Sequence, residues 1–271
     1  MLADAVAAEF YKFLRQKGGL FWGFCAVPLA VLLFNLGLDS WVASRSPLPV
    51  GLDLGNQVLR GVELGGNAIF QIFFIAGAVS LFAGEYRWET WRLLTPRNSR
   101  ANLMLAKFTV YAVLAAFSLI ALGLGGALHT LYAALLGAQM TLPGPAFPLL
   151  AAGILVTSWL ELLVLGLVVA LIAAASRAMI GPLIAAISFA FAQSMAMLIL
   201  GPSEAPLRWF AAFPGMSAWY LRAWITGGEI APGVFADPLR ALPAPLFLLG
   251  WIGLLGAATL LRFQRQDLTR E

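Results

Sequence analysis

Residues 149–175 read LLAAGILVTSWLELLVLGLVVALIAAA, and in that stretch the only charged side chain is Glu161. At 1.5 Å of helix rise per residue the run is longer than the roughly 30 Å of hydrocarbon it has to cross. A stretch of this kind is read as a transmembrane helix, one that tilts or extends beyond the bilayer. Five more runs of sufficient length flank it. The six expected spans lie at about 19–38, 67–84, 103–129, 149–175, 180–200 and 244–261. The tight turn Ser176–Gly181 joins the fourth to the fifth, and Pro182 suits the first turn of a helix.

The composition sets the same class. The chain has 271 residues, of which 61% are hydrophobic and only 11% charged. Soluble domains average about 45–50% apolar and about 25% charged, so a chain this apolar needs lipid to cover it. The length suits six spans with their loops, in one membrane domain over 1–271. No internal repeat, low-complexity tract or long linker interrupts it. The lone cysteine, Cys25, lies inside an apolar run, so cysteine builds neither a disulfide framework nor a metal site.

The net charge of +4 is explained by orientation rather than by a nucleic-acid partner. Five of the 17 basic residues, Arg45, Arg60, Arg208, Arg222 and Arg240, fall on one side of the expected spans, and the other twelve on the opposite side. The positive-inside rule makes the richer side cytoplasmic and places both termini there; the expected location is the inner membrane of a bacterial cell.

Residues 1–17 do not read as a cleaved signal, because Asp4 and Glu9 alternate with apolar residues. Val6, Phe10, Phe13 and Leu14 recur at helical spacing beside Lys12, Arg15 and Lys17, the pattern of an amphipathic helix in the membrane interface. On the outer side, 201–243 carries Trp209, Phe210, Phe213, Trp219, Tyr220 and Trp224 in two pieces split by Pro214–Gly215. These pieces predict two short helices at the outer leaflet, or else a compact loop with its own aromatic core.

Motifs for catalysis are missing from the sequence. It has no G-x-x-x-x-G-K-[ST] phosphate loop and no dinucleotide glycine pattern. His129 is the only histidine, which excludes a multi-histidine metal centre; its expected role is a structural hydrogen bond near the outer end of span three. Glu161, in mid-span, should face the protein interior, a partner or water, or else stay protonated. It reads either as part of a transport path or subunit seam, or as a polar tether to Gln71, Gln193 or another span.

The most informative loop joins spans two and three: GEYRWETWRLLTPRNSR at 84–100, with Lys107 following. Helix can run through Leu94, Pro96 ends it by disfavouring helical geometry at Thr95, and Asn98 or Ser99 can cap the next helix. Glu85, Trp88, Glu89 and Arg92 share one face of the resulting short helix, and Arg100 and Lys107 share a face of span three. Glu85 and Glu89 repel one another mildly and call for basic partners, with Lys107 or Arg100 as candidates for Glu85.

This stretch resembles the signature of the ABC-2 type permeases, the membrane subunits of six-span, type V-like ABC exporters. That family shows a Glu ending span two, then Gly-Thr, a Leu pair, Pro, Ser or Arg, and a Lys entering span three. The match falls at Glu85, Thr90, Leu93, Leu94, Pro96, Ser99, Arg100 and Lys107, and Glu89 stands where Gly is usual. The ending Phe263-Gln264-Arg265-Gln266-Asp267-Leu268 is similar as well.

The resemblance implies a permease that borrows a cytoplasmic ABC ATPase, with ATP and magnesium on that partner and no cofactor or metal in this chain. It also implies a second permease copy or homologue beside it. The coupling helix would be about Glu85–Leu94, carrying Glu85, Trp88, Glu89, Thr90, Trp91 and Leu94 and ended by Pro96, with Arg100 and Lys107 as supporting charges. Small residues at Gly250, Gly253, Gly256 and Ala257 allow close approach of another helix, or simple core packing. An integral membrane enzyme acting on a lipid and a non-transporting scaffold or sensor are the alternative classes.

Overall fold

The computed structural model describes residues 2–46, 51–87, 99–200, 207–231 and 233–266. It is all-helical, with six helices long and apolar enough to cross a membrane. A short helix α1 (Leu2–Arg15) precedes the first span, α2 (Lys17–Ala43). Helix α3 (Leu54–Glu63) then leads into the second span, α4 (Ala68–Arg87). Spans three to five are α5 (Arg100–Leu135), α6 (Phe147–Ser176) and α7 (Ile180–Leu200). Two short helices follow, α8 (Leu207–Ala212) and α9 (Pro214–Thr226), then a single turn α10 (Pro238–Ala241) and the last span α11 (Ala244–Gln264). Two-residue strands β1 (Leu52–Asp53) and β2 (Met140–Thr141) pair in parallel; β3 (Glu229–Ala231) and β4 (Val234–Phe235) form a small hairpin. Six spans return the chain to the side from which it started, here called the terminal face.

Helix α6 is the axis of the bundle. It packs against α3, α4, α5, α7, α9 and α11, and its side chains fill the main core together with Phe74, Phe82, Tyr111 and Leu119. Two hydrogen bonds fix α5 against it: Tyr111 Oη donates to the Leu162 carbonyl at 2.9 Å, and Trp159 Nε1 to the Ala112 carbonyl at 2.8 Å. Each gives a buried polar atom a partner where no water is at hand. At 1.5 Å per residue the 36 residues of α5 extend about 54 Å, well past a bilayer core of about 30 Å. The excess lies on the far face, where α3 crosses α5. A methyl group on Gly61 would sit 2.4 Å from the Leu122 carbonyl oxygen, and one on Gly126 2.2 Å from that of Gln57. Only glycine permits these two helices to touch backbone to backbone.

Span α2 contains one π turn, Phe21–Cys25, where the Ala26 amide donates to the Phe21 carbonyl. Pro28 lies just beyond and has no amide hydrogen for the carbonyl of Phe24, four residues earlier. Ser118 of α5 supplies the missing donor, its Oγ standing 2.7 Å from that oxygen. Insertion of another helix's side chain at a proline is one of the known causes of a break in a long helix.

Two sequence expectations change in detail. The buried stripe of α1 is Ala5, Glu9 and Phe13 at four-residue spacing, so Phe13 packs on the protein rather than on lipid. Tyr11 and Leu14 stay exposed. The split at Pro214–Gly215 is present, but α9 does not rest on the leaflet surface. It is inserted among α6, α7 and α11, and Phe210, Met216, Tyr220, Leu221, Ala241 and Ala244 make a second small core there.

Candidate functional site

The first polar cluster lies on the terminal face, where α1, α4 and α5 meet. Glu9 comes from the buried stripe of α1, Glu85 from the last turn of α4, and Lys107 from the second turn of α5. Lys107, 1% exposed, spends all three ammonium hydrogens: on Glu9 Oε1 at 2.5 Å, the Leu81 carbonyl at 2.9 Å and Glu85 Oε1 at 3.0 Å. Lys12 closes the ring from α1, donating to Glu9 Oε2 at 3.0 Å and to Glu85 Oε1. Among the described residues two carboxylates and two ammonium groups meet here, and pairing of this kind is the condition for burying charges among spans. Burial pulls the Lys12 ammonium down, but the carboxylates of Glu9 and Glu85 outweigh it and hold the group above its usual range.

Arg100, also expected as a supporting charge, reaches another element. Its guanidinium donates to the carbonyls of Phe263, Gln264 and Gln266 at 3.3, 3.0 and 2.5 Å, at the carboxyl end of α11. Cations are favoured there because a helix ends on unsatisfied carbonyls. Gln266 in turn accepts from Tyr86 Oη at 3.1 Å. The segment between α4 and α5 is therefore clamped at both ends, by Glu85 to α1 and α5, and by Arg100 to α11. The expected coupling residues Trp88, Glu89, Thr90, Trp91, Leu94 and Pro96 lie outside the described residues.

The second cluster surrounds Glu161, which is 4% exposed. It stands 15 residues from the end of α6 at Ser176, about 22 Å of helix, and so in the far half of a bilayer core. Gln71 Nε2 of α4 donates to its Oε1 at 3.0 Å, one of the tethers expected. The larger partner is Arg222 of α9, whose guanidinium donates to Glu161 Oε2 at 2.5 Å and to Ser158 Oγ at 3.4 Å. The sequence reading treated Arg222 as a loop charge; it is 5% exposed and deeply inserted. Gly66 makes room for it, since a methyl group there would lie 2.3 Å from the guanidinium. Gln193, the other expected tether, instead accepts the Gly215 amide at the start of α9 at 2.5 Å.

Above this pair a cavity of about 430 Å³ opens on the far face, lined by Glu63, Asn67, Ser194, Trp219, Arg222 and Thr226 among others. Burial holds the Glu63 carboxyl above the usual carboxylate range, although Arg222 and Arg60 pull it back.

The remaining sequence candidates find plainer places. His129 Nε2 stands 2.9 Å from Asp39 Oδ2 and joins α5 to α2. Gly250 and Gly253 have open space where a side chain would be, so among the described residues nothing packs closely on that side of them. Among the described residues no group of three or more His, Cys, Asp and Glu side chains is placed to hold a metal ion.

Sequence reasoning missed Arg222, Glu9 and Lys12. Two signals were present: Arg222 is the only charge in Pro214–Thr226, and Glu9 sits on the helical face of Ala5 and Phe13.

No curated protein matches the chain. A family model described as ABC-2 family transporter protein matches residues 5–193, well over half of the 271 residues and reaching from α1 into α7. That match contains both ends of the clamped segment, Glu85 with Lys107 at one and Arg100 at the other. With six apolar spans and charges paired between them, the chain belongs to the ABC-2 transporter family and is the membrane-spanning permease subunit of an ABC transporter.

Proposed function

We propose that this permease is half of an exporter driven by a separate cytoplasmic ABC ATPase that docks on the segment beginning at Glu85. The terminal face is then cytoplasmic, ATP and magnesium reside on the ATPase, and a second permease copy or homologue completes the path within the lipid. The observation that carries the reading is the double clamp. A push on the segment between α4 and α5 is handed through Glu85 and Lys107 to α1 and α5, and through Arg100 to the end of α11. Coupling by rigid elements and ion pairs needs such a contiguous connection. Glu161 of α6, joined to Arg222 of α9, lies in the far half of the core, where a path or seam would have to part.

The test is co-purification of the cognate ATPase in detergent with Glu85→Ala and Trp88→Ala variants, alongside ATPase turnover. Truncating an aromatic anchor costs about 2 kcal/mol or more of binding, roughly thirtyfold in affinity. Both variants should lose ATPase or uncouple hydrolysis from transport; Trp88→Ala should remain as stable as the wild type, whereas Glu85→Ala, which takes a carboxylate from buried Lys107, should also lower the thermal midpoint. Wild-type binding and coupling in both would remove the docking role.

A further inference from the structure

We propose that the far-face cavity between α4, α7 and α9 is a binding site for an organic cation, an ammonium- or guanidinium-bearing ligand, held by Glu63 and the ring of Trp219. At about 430 Å³ the cavity falls in the size range of small-ligand pockets. Its wall combines two charged residues of opposite sign, an aromatic ring, Met197 and hydroxyls, the mixture that suits an amphiphile with a polar head.

The charges decide the sign of the ligand. The wall contains Arg222, but that guanidinium is already engaged by Glu161 at 2.5 Å and Ser158 at 3.4 Å. Glu63 has no hydrogen bond or ion pair among the described residues, and the cations near it are Arg222 and Arg60, the latter exposed on α3. An anion entering the cavity would have to compete with Glu161 for Arg222 and would meet the Glu63 carboxylate. A cation meets an unpaired carboxylate in a half-buried site, where opposite charges attract more strongly than in bulk water.

Two hydroxyls in the wall agree. Ser194 Oγ donates to the Ala190 carbonyl at 3.3 Å, and Thr226 Oγ1 to the Arg222 carbonyl at 3.1 Å. With their hydrogens used inside their own helices, both hydroxyls offer a ligand lone pairs only. An ammonium or guanidinium group donates to such acceptors. Trp219 adds an aromatic ring to the wall, and a cation seated over such a ring is further stabilised.

Binding at this site requires no ATPase. That the ligand is cargo rests on the exporter reading; loss of ATPase docking would leave the site standing, and an empty site would leave docking standing. The test is titration of the full chain in nanodiscs of zwitterionic lipid with octylammonium, octanol and octanoate, subtracting empty discs. Octylammonium should bind best. Glu63→Gln should weaken it about tenfold, equivalent to 1.4 kcal/mol, and leave octanol binding unchanged. Arg60→Gln, which removes a competing positive charge at an exposed position, should strengthen it a few-fold. Equal binding of octylammonium and octanol, preference for octanoate, or indifference to both substitutions would overturn the assignment.

Discussion

Arg222 and Glu161, 61 residues apart in the chain, meet at 2.5 Å inside the far half of the bundle and join the inserted helix α9 to the central span α6. Removing one partner of a buried pair leaves the other uncompensated, at a cost of about 3–5 kcal/mol. Arg222→Met or Glu161→Leu alone should therefore lower the thermal unfolding midpoint strongly. The double variant should recover most of the loss, because no charge is left buried. Unfolding of the four proteins in one detergent forms a complete double-mutant cycle, and additive losses would show the pair to be uncoupled.

Lys107 holds Glu9 and Glu85 side by side, and among the described residues Lys12 is the other cation that the two carboxylates share. Lys107→Met should loosen α1 from α4 and α5. Hydrogen exchange of residues 2–15 in detergent is expected to speed up by about tenfold or more, the ratio for 1.4 kcal/mol. Protection equal to wild type would place the docking of α1 in Phe13 and the other apolar contacts instead.

The Lys12 ammonium is stabilised in the folded state, so its pKa is raised above 10.5. A group of this kind contributes stability that is complete below its unfolded pKa and is lost as pH rises through the folded one. The Lys12 contribution to α1 docking should therefore be constant between about pH 6 and 9 and fail only in stronger alkali. Lys12→Gln removes that alkaline step if Lys12 is its source. The readout is the same exchange measurement across pH, corrected for intrinsic rates.

Glu63 carries the opposite sign. Its carboxyl is raised from 4.5 by burial, so folding favours the protonated form and stability falls as pH rises from 4.5 through the raised value. Glu63→Gln should abolish that fall and raise the midpoint at pH 7. A midpoint lowered by the substitution would mean that the ionised form is satisfied in the folded protein.

Orientation is open to chemical labelling. In a Cys25→Ser background, single cysteines at Asp53 and Gly228 should react with a membrane-impermeant thiol reagent on intact cells. Cysteines at Asn98 and Gln266 should react only after the cells are opened. The reverse pattern would place the terminal face outside.

The six spans were legible because lipid imposes one demand on every crossing segment, a long apolar run, and nothing else in the chain imitates it. The partner of Glu161 was less so. Gln71 stood among the expected tethers, but Arg222 lay in a segment whose length and aromatic content suit an interfacial helix, so its charge was assigned to the surface. Depth of insertion depends on tertiary packing, here of Ala218 and Ile225 in the core that α6 fills and of Met216, Tyr220 and Leu221 with α10 and α11, and pairwise spacing within Pro214–Thr226 does not encode it. The pairing of Glu85 with Lys107 was anticipated. Glu9 and Lys12, which complete that ring, come from a helix whose docking partner the sequence leaves open.

The proline in α2 has a mechanical consequence. Below Pro28 the helix is continuous with the turn that carries α1; above it, the helix runs on toward Asp39 and the far face. The carbonyl of Phe24 has no amide hydrogen at Pro28 to accept from and is bonded to Ser118. The two rods of α2 thus share a swivel whose pin belongs to a neighbouring span, and a tilt of the lower rod bears on α5 at that pin. Ser118→Ala withdraws the pin and should cost about 1–3 kcal/mol for the orphaned carbonyl. Pro28→Ala in the same chain fuses the rods into one stiff beam by returning the amide hydrogen. That double variant should regain thermal stability and, if the swivel is used, lose transport.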